Sequence, residues 1–240
     1  MRHAPHLPLV LALGAFAACA DSAGPPTALR APQSIATSSS AAPARTESVD
    51  PVLFFVRGSA VTTSPMLSIS SPPGTLLWTR RRGPTGLGMP VIAPDGHQLS
   101  LGEWITPTGR AADKCIESGT HTVLHFSDLI PNATYTVWQL VFRAPGFVGN
   151  PMINLIGLGA LGPNDGSGNS FRTSSSGEGE LSAVTPAGAL SAFGSIGACA
   201  LDHFEVHYVA GYHIDGMTYG ATPGPSGSFA EQAGVRFQMR

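Results

Sequence analysis

From Pro51 onward the apolar segments of this 240-residue chain are short, and each is bounded by Gly, Pro, Asn or Asp. No long segment sustains a 3.6-residue period, so helices cannot build the core. The segments Val52–Val56, Thr75–Thr79, Thr120–Phe126, Thr134–Arg143, Gly179–Thr185, His203–Gly211 and Val235–Met239 read as strands. Turn signals separate them: Ser71-Pro72-Pro73-Gly74, Pro94-Asp95-Gly96, Ile130-Pro131-Asn132, Pro163-Asn164-Asp165-Gly166 and Pro223-Gly224-Pro225. Many short strands with tight turns between them predict an all-β chain, an antiparallel β-sandwich (jelly-roll-like or Ig-like) in a single domain over residues 50–240. With 42% hydrophobic residues the chain can bury a full core, although only 12% of its residues are charged. The net charge of −2 excludes a nucleic-acid footprint, and the one basic run, Arg80-Arg81-Arg82, reads as a solvated turn.

The N-terminus follows different rules. Arg2, an apolar stretch from Leu7 to Ala18 and small residues before a cysteine make residues 1–18 a secretory signal. The stretch is shorter than the ~20 residues that span a bilayer. Phe16-Ala17-Ala18-Cys19 resembles the lipobox of bacterial lipoproteins, with Phe16 in place of the usual Leu. The resemblance implies lipidation of Cys19 and anchorage of the chain to a membrane at the cell envelope. Ala20 lacks the Asp of inner-membrane retention, which implies the outer membrane. The alternative is an ordinary signal cleaved near Ala18 or Ala20, leaving a secreted protein. Residues 19–49, rich in Ala, Ser, Thr and Pro without apolar periodicity, read as a disordered spacer. Flexible chain of that length would hold a domain roughly 30 Å from the headgroups.

Cysteine arithmetic adds to this reading. If Cys19 takes lipid, Cys115 and Cys199 remain, and in an oxidising compartment they are expected to form a disulfide. That bond would close a loop of 85 residues, both cysteines counted. No motif surrounds Cys115 that would make it a nucleophile or a metal ligand instead.

The residues with chemical potential lie on two strands. In Asp202–Tyr208, period two places His203, Glu205 and His207 on one face, opposite Phe204, Val206 and Tyr208. His121 and His125 likewise share a face, and His213 and Asp215 follow Gly211. On a solvated face these side chains are only a wet surface. If the two strands were neighbours, His121, His125, His203, Glu205 and His207 could converge on zinc, copper or iron, as a closed structural site or an open catalytic one. The spacing matches no zinc signature. The Asn164–Asn169 loop has one carboxylate, too few for calcium, and reads as a hairpin loop. No serine elbow, Walker motif or Rossmann glycine pattern occurs. Trp78, Trp104 and Trp138 would bind a saccharide if at least two of their rings lined one exposed groove.

The segments Ile130–Trp138, Leu161–Ser167 and Tyr212–Gly220 resemble a group of uncharacterised secreted proteins of bacteria and archaea, over about residues 90 to 240. The resemblance implies an extracytoplasmic β-rich domain and transfers no activity or site. The expectation is therefore a membrane-anchored lipoprotein whose β-rich domain is a binding or structural module for a protein or saccharide ligand, with no catalytic residues assigned. The alternative is a metal-binding protein or metal-dependent enzyme built on the histidine faces.

Overall fold

A computed structural model describes residues 44–51, 61–62, 71–80, 87–148, 153–188, 199, 204–225 and 227–238. The signal, Cys19, the spacer up to residue 43, the strand expected at Val52–Val56 and His203 lie outside the described residues. Ser40–Arg240 forms one compact unit.

The strands are β1 (Arg45–Pro51), β2 (Val61–Thr62), β3 (Trp78–Arg80), β4 (Leu87–Pro90), β5 (Thr108–Ile116) and β6 (Gly119–Ser127). They continue with β7 (Thr134–Phe142), β8 (Leu155–Ala160), β9 (Ser170–Arg172), β10 (Gly179–Pro186), β11 (Glu205–His213) and β12 (Phe229–Phe237). Among the described residues there is one short helix, α1 (Leu101–Trp104), which starts at a capping box in which Ser100 and Glu103 satisfy each other's backbone N–H. All strand pairs are antiparallel, and the domain is the expected all-β sandwich.

The main sheet runs β10-β6-β5-β1-β12-β11-β7-β8, with β9 beside the first half of β7. Strand β1 is the hinge of this arrangement. Its residues Arg45–Val49 pair with β5, whereas Asp50 and Pro51 pair with β12. The sheet therefore divides at β1 into two halves that pack face to face. Val49, Ala111, Leu124, Phe126 and Leu181 from one half meet Tyr135, Val137, Val206, Tyr208 and Tyr212 from the other in a single core. Phe171 of β9 closes the far edge by stacking on Phe126 at 5.3 Å and on Tyr135 at 5.4 Å. A separate three-stranded sheet joins β2, β3 and β4.

Strand β1 begins at Arg45, five residues before the domain boundary read from composition. Its alternate residues have little apolar content, so pairing with β5, not periodicity, holds it in the sheet. Strand β5 escaped the sequence reading for a related reason: Thr108–Ile116 carries Arg, Asp and Lys among alanines. Four of the expected strands are found with small shifts of boundary, at β6, β7, β10 and β11, while β12 starts well before Val235. Cys115 and Cys199 are joined by a disulfide, with Cα atoms 5.6 Å apart, tying β5 to the segment before β11. Two of the three cysteines are thereby paired.

Candidate functional site

Strand β11 is central, flanked by β7 and β12, and alternation puts Val206, Tyr208, Ala210 and Tyr212 into the core between the sheet halves. Glu205, His207, Val209, Gly211 and His213 share the opposite face. A solvated polar face is what the sequence suggests, and the structure differs. Glu205 is 3% exposed, while His207 and His213 are each 1% exposed. The reason is a second apolar cluster on this outer face, formed by Leu140, Phe142 and Val209 with Phe147, Leu155 and Leu158. The β7–β8 connection folds back over the sheet, and the Phe142 and Phe147 rings lie 4.8 and 5.5 Å from the His207 ring.

Buried ionisable groups require partners. Glu205 Oε1 accepts from His207 Nε2 at 2.5 Å and from the Phe147 N–H at 3.1 Å, and Oε2 accepts from Arg236 Nη2 at 2.8 Å. Burial by itself would raise the Glu205 pKa, but the bonds from Arg236, His207 and the Phe147 N–H prevail and hold it below the usual carboxylate value. Burial likewise lowers the His207 pKa, and Glu205 opposes this only in part. The pair is thus a carboxylate beside a neutral imidazole whose proton sits on Nε2, because the carboxylate can only accept. Gly146 makes the close approach of the connection feasible. It has φ +92°, and a Cβ there would stand 2.3 Å from Glu205 Oε2.

The other histidines lie elsewhere. His121 and His125 are on the outer face of β6, in the other half of the sheet, where His121 Nε2 is 3.0 Å from Ser182 Oγ and His125 Nδ1 is 3.7 Å from Glu180 Oε2. Strands β5, β1 and β12 stand between β6 and β11, so His121 and His125 do not meet Glu205 and His207. His213 shares the outer face with His207 but sits six residues further along the strand, about 20 Å away. Its Nε2 pairs with Thr136 Oγ1 at 2.8 Å between the Phe229 and Tyr219 rings. Asp215 accepts from Tyr219 Oη at 2.6 Å and from the Met217 N–H at 3.0 Å, closing a turn. Among the described residues, no three His, Cys, Asp or Glu side chains gather as a metal centre would need.

No family model matches the chain, and no curated protein does.

The tryptophans divide as well. Trp104 lies in the main core, edge-on to Tyr212 at 6.3 Å. Trp138 is buried on the outer face against Phe229, its Nε1 donating to Thr136 Oγ1 at 3.2 Å. Only Trp78 is half-buried, so these rings share no exposed groove. In the Asn164–Asn169 loop, Asp165 Oδ1 accepts from the Ser167 N–H at 2.9 Å, which is turn chemistry.

Two groups that matter here were not singled out from the sequence. Arg236 caps Glu205, and in Val235-Arg236-Phe237 its only signal was a charge alternating with buried apolar residues. Asp113 of β5 is fully buried between the sheet halves, where its Oδ2 accepts from Tyr208 Oη at 2.6 Å. Thr122 Oγ1 lies 3.1 Å from the same hydroxyl. Burial pushes the Asp113 carboxyl up to about 6, against the lowering effect of Tyr208, Thr122 and Arg45.

Proposed function

We propose that this chain is a lipid-anchored protein of the cell envelope, held at the outer membrane through Cys19, and that its β-sandwich is a binding or structural module without a catalytic role. The observation that carries the reading is the Cys115–Cys199 disulfide. Such bonds persist in oxidising compartments, and this one leaves Cys19 as the odd cysteine, directly behind a signal-like apolar stretch. The absence of catalysis is supported by how the buried ionisable groups are used. Asp113 is bonded across the core by Tyr208, and Glu205 is bonded by Arg236, His207 and a backbone N–H. These contacts hold strands and a connection together.

The test is expression in a bacterium fed labelled palmitate, with the intact mass of the purified protein measured in parallel. The expected result is label on the wild-type chain, a mass matching a diacylated or triacylated chain beginning at Cys19, and no label on Cys19→Ser. An unlabelled wild-type chain cleaved at another residue would overturn the anchor.

A further inference from the structure

The hairpin of residues 91–99 ends in an exposed turn that holds a histidine between two carboxylates. Its base is fixed. Val91, Ala93 and Leu99 lie in the main core with Leu101 and Trp104 of α1, and the Ile92 carbonyl accepts from Tyr212 Oη at 2.6 Å. Its tip is not packed. Residues 94–97 are exposed, and a Cβ on Gly96, which has φ +93°, would meet nothing within 4 Å beyond its chain neighbours. At this tip His97 Nδ1 lies 2.5 Å from Asp95 Oδ1, and His97 Nε2 lies 2.7 Å from Oε1 of Glu103 on α1.

The two partners fix the protonation state of the ring. An ionised carboxylate only accepts, so the two bonds require N–H on both nitrogens, which the imidazolium alone provides. Both carboxylates are held ionised by further donors. Glu103 Oε2 accepts from the Ser100 N–H at 2.8 Å and from Ser100 Oγ at 2.6 Å, and Asp95 Oδ1 accepts from the His97 N–H at 3.1 Å. Burial would raise the Glu103 pKa, but the bonds from Ser100 and His97 prevail and lower it, and the His97 N–H and ring lower that of Asp95. Bonds to Glu103 and Asp95 in turn raise the His97 pKa above its ordinary value of 6.5. Asp95 on its own turn and Glu103 on α1 are the charges that act on the ring. Residues 71–77, which pack beneath the hairpin, carry no charge, and β11 presents the Tyr212 hydroxyl with Asp215 beyond it.

We propose that Asp95, His97 and Glu103 form a proton-operated clasp that pins the tip of this hairpin to α1 and releases it when His97 loses its proton. Once neutral, the ring keeps one N–H and turns the lone pair of its other nitrogen towards a carboxylate. The bond that fails is the one between elements. Asp95 is two residues from His97 on the same turn and moves with the ring, whereas Ser100 keeps Glu103 on α1. Neutral His97 therefore carries its proton on Nδ1, and residues 94–97 come away from α1 while the base of the hairpin stays in the core. The direction follows from the raised pKa: the clasp is closed below pH 6.5 and opens as pH rises through the higher value of the folded chain. The His97, Asp95 and Glu103 side chains are 47%, 71% and 43% exposed, so the clasp is too weak to govern the fold and acts on the tip alone.

The clasp is tested by nuclear magnetic resonance on the full chain with nitrogen-15 in its histidine rings, the His97 signals being identified by their loss in His97→Gln. We expect both His97 nitrogens to be protonated at about pH 5, well below the ordinary histidine value. The ring should titrate above pH 6.5 and then keep its proton on Nδ1 and none on Nε2. Exchange of the Gly96 and His97 N–H groups with water, normalised to the unstructured rate at each pH, should speed up about two- to fivefold across that titration. Glu103→Gln leaves a residue that still completes the capping box. It should lower the His97 pKa and abolish the step in exchange. A His97 pKa at or below 6.5, a neutral ring protonated on Nε2, or tip exchange without a step in the parent chain would overturn the proposal.

Discussion

Asp113 sits where a charge is least tolerable, in the core between the sheet halves, and the chain tolerates it through Tyr208 and Thr122. With its pKa raised from 3.8 to about 6, the folded state binds the Asp113 proton more tightly than the unfolded chain does. Stability from this residue is therefore highest below the unfolded value and falls as pH rises through about 6. The loss is on the order of 3 kcal/mol, since each pK unit corresponds to about 1.4 kcal/mol. Asp113→Asn keeps an acceptor for Tyr208 and removes the ionisation. We expect the difference in unfolding free energy between the variant and the parent to shift in the variant's favour between pH 4 and pH 7, as measured by urea denaturation followed by near-ultraviolet circular dichroism. A difference that stays constant with pH would show that Asp113 is not the titrating group. Nothing in the sequence marked this residue except alternation with Ala111 and Cys115, which in a strand with so little apolar content is a weak pattern. Burial of a carboxyl is decided by what lies across the core, and Tyr208 is 95 residues away.

The β7–β8 connection shows how an element far away in sequence changes the chemistry of a strand. Period two in β11 separates Val206 and Tyr208 from Glu205 and His207, and that separation was legible from the residues alone. Its sense was legible on one side only. A central strand has two faces, and the second is buried because residues some 60 positions earlier fold over it with Phe147 and Leu155. Gly146 is the conformational requirement of that fold-over. Gly146→Ala would force a side chain into a left-handed backbone and against Glu205 Oε2. The expected cost is about 1–3 kcal/mol of stability. It should appear as a lower denaturation midpoint, with faster hydrogen exchange concentrated at residues 144–148. Exchange that speeds up evenly over the whole sandwich would instead indicate a general loss of packing. Glu205 and His207 add acid sensitivity at the same place. Both have pKa values held below their unfolded values, so their contribution is present at neutral pH and is lost as the medium is acidified.

At the scale of the whole molecule, the two halves of the sheet are connected by β1 and the shared core, while the Cys115–Cys199 disulfide ties β5 to the segment that precedes β11. The disulfide spans 84 positions, so in the chain-entropy view it restricts the unfolded chain by about 4–5 kcal/mol. Cys115→Ser/Cys199→Ser is expected to lower stability by about 3–5 kcal/mol, read as a fall in the guanidinium midpoint with a steeper slope, because the unfolded chain without the cross-link exposes more surface. A midpoint equal to that of the oxidised parent would show that the bond adds nothing to the fold. What the sequence determined by itself is what local physics controls: strand and turn character from two-residue alternation punctuated by Gly and Pro, and the count that pairs Cys115 with Cys199. Tertiary structure alone decided which strands are neighbours. That order, with β5, β1 and β12 between β6 and β11, separates the two histidine faces that the sequence left free to converge. It also buries Glu205, His207 and Asp113, because strand order and burial come from contacts between residues remote in the chain, which the local pattern of any one strand does not encode.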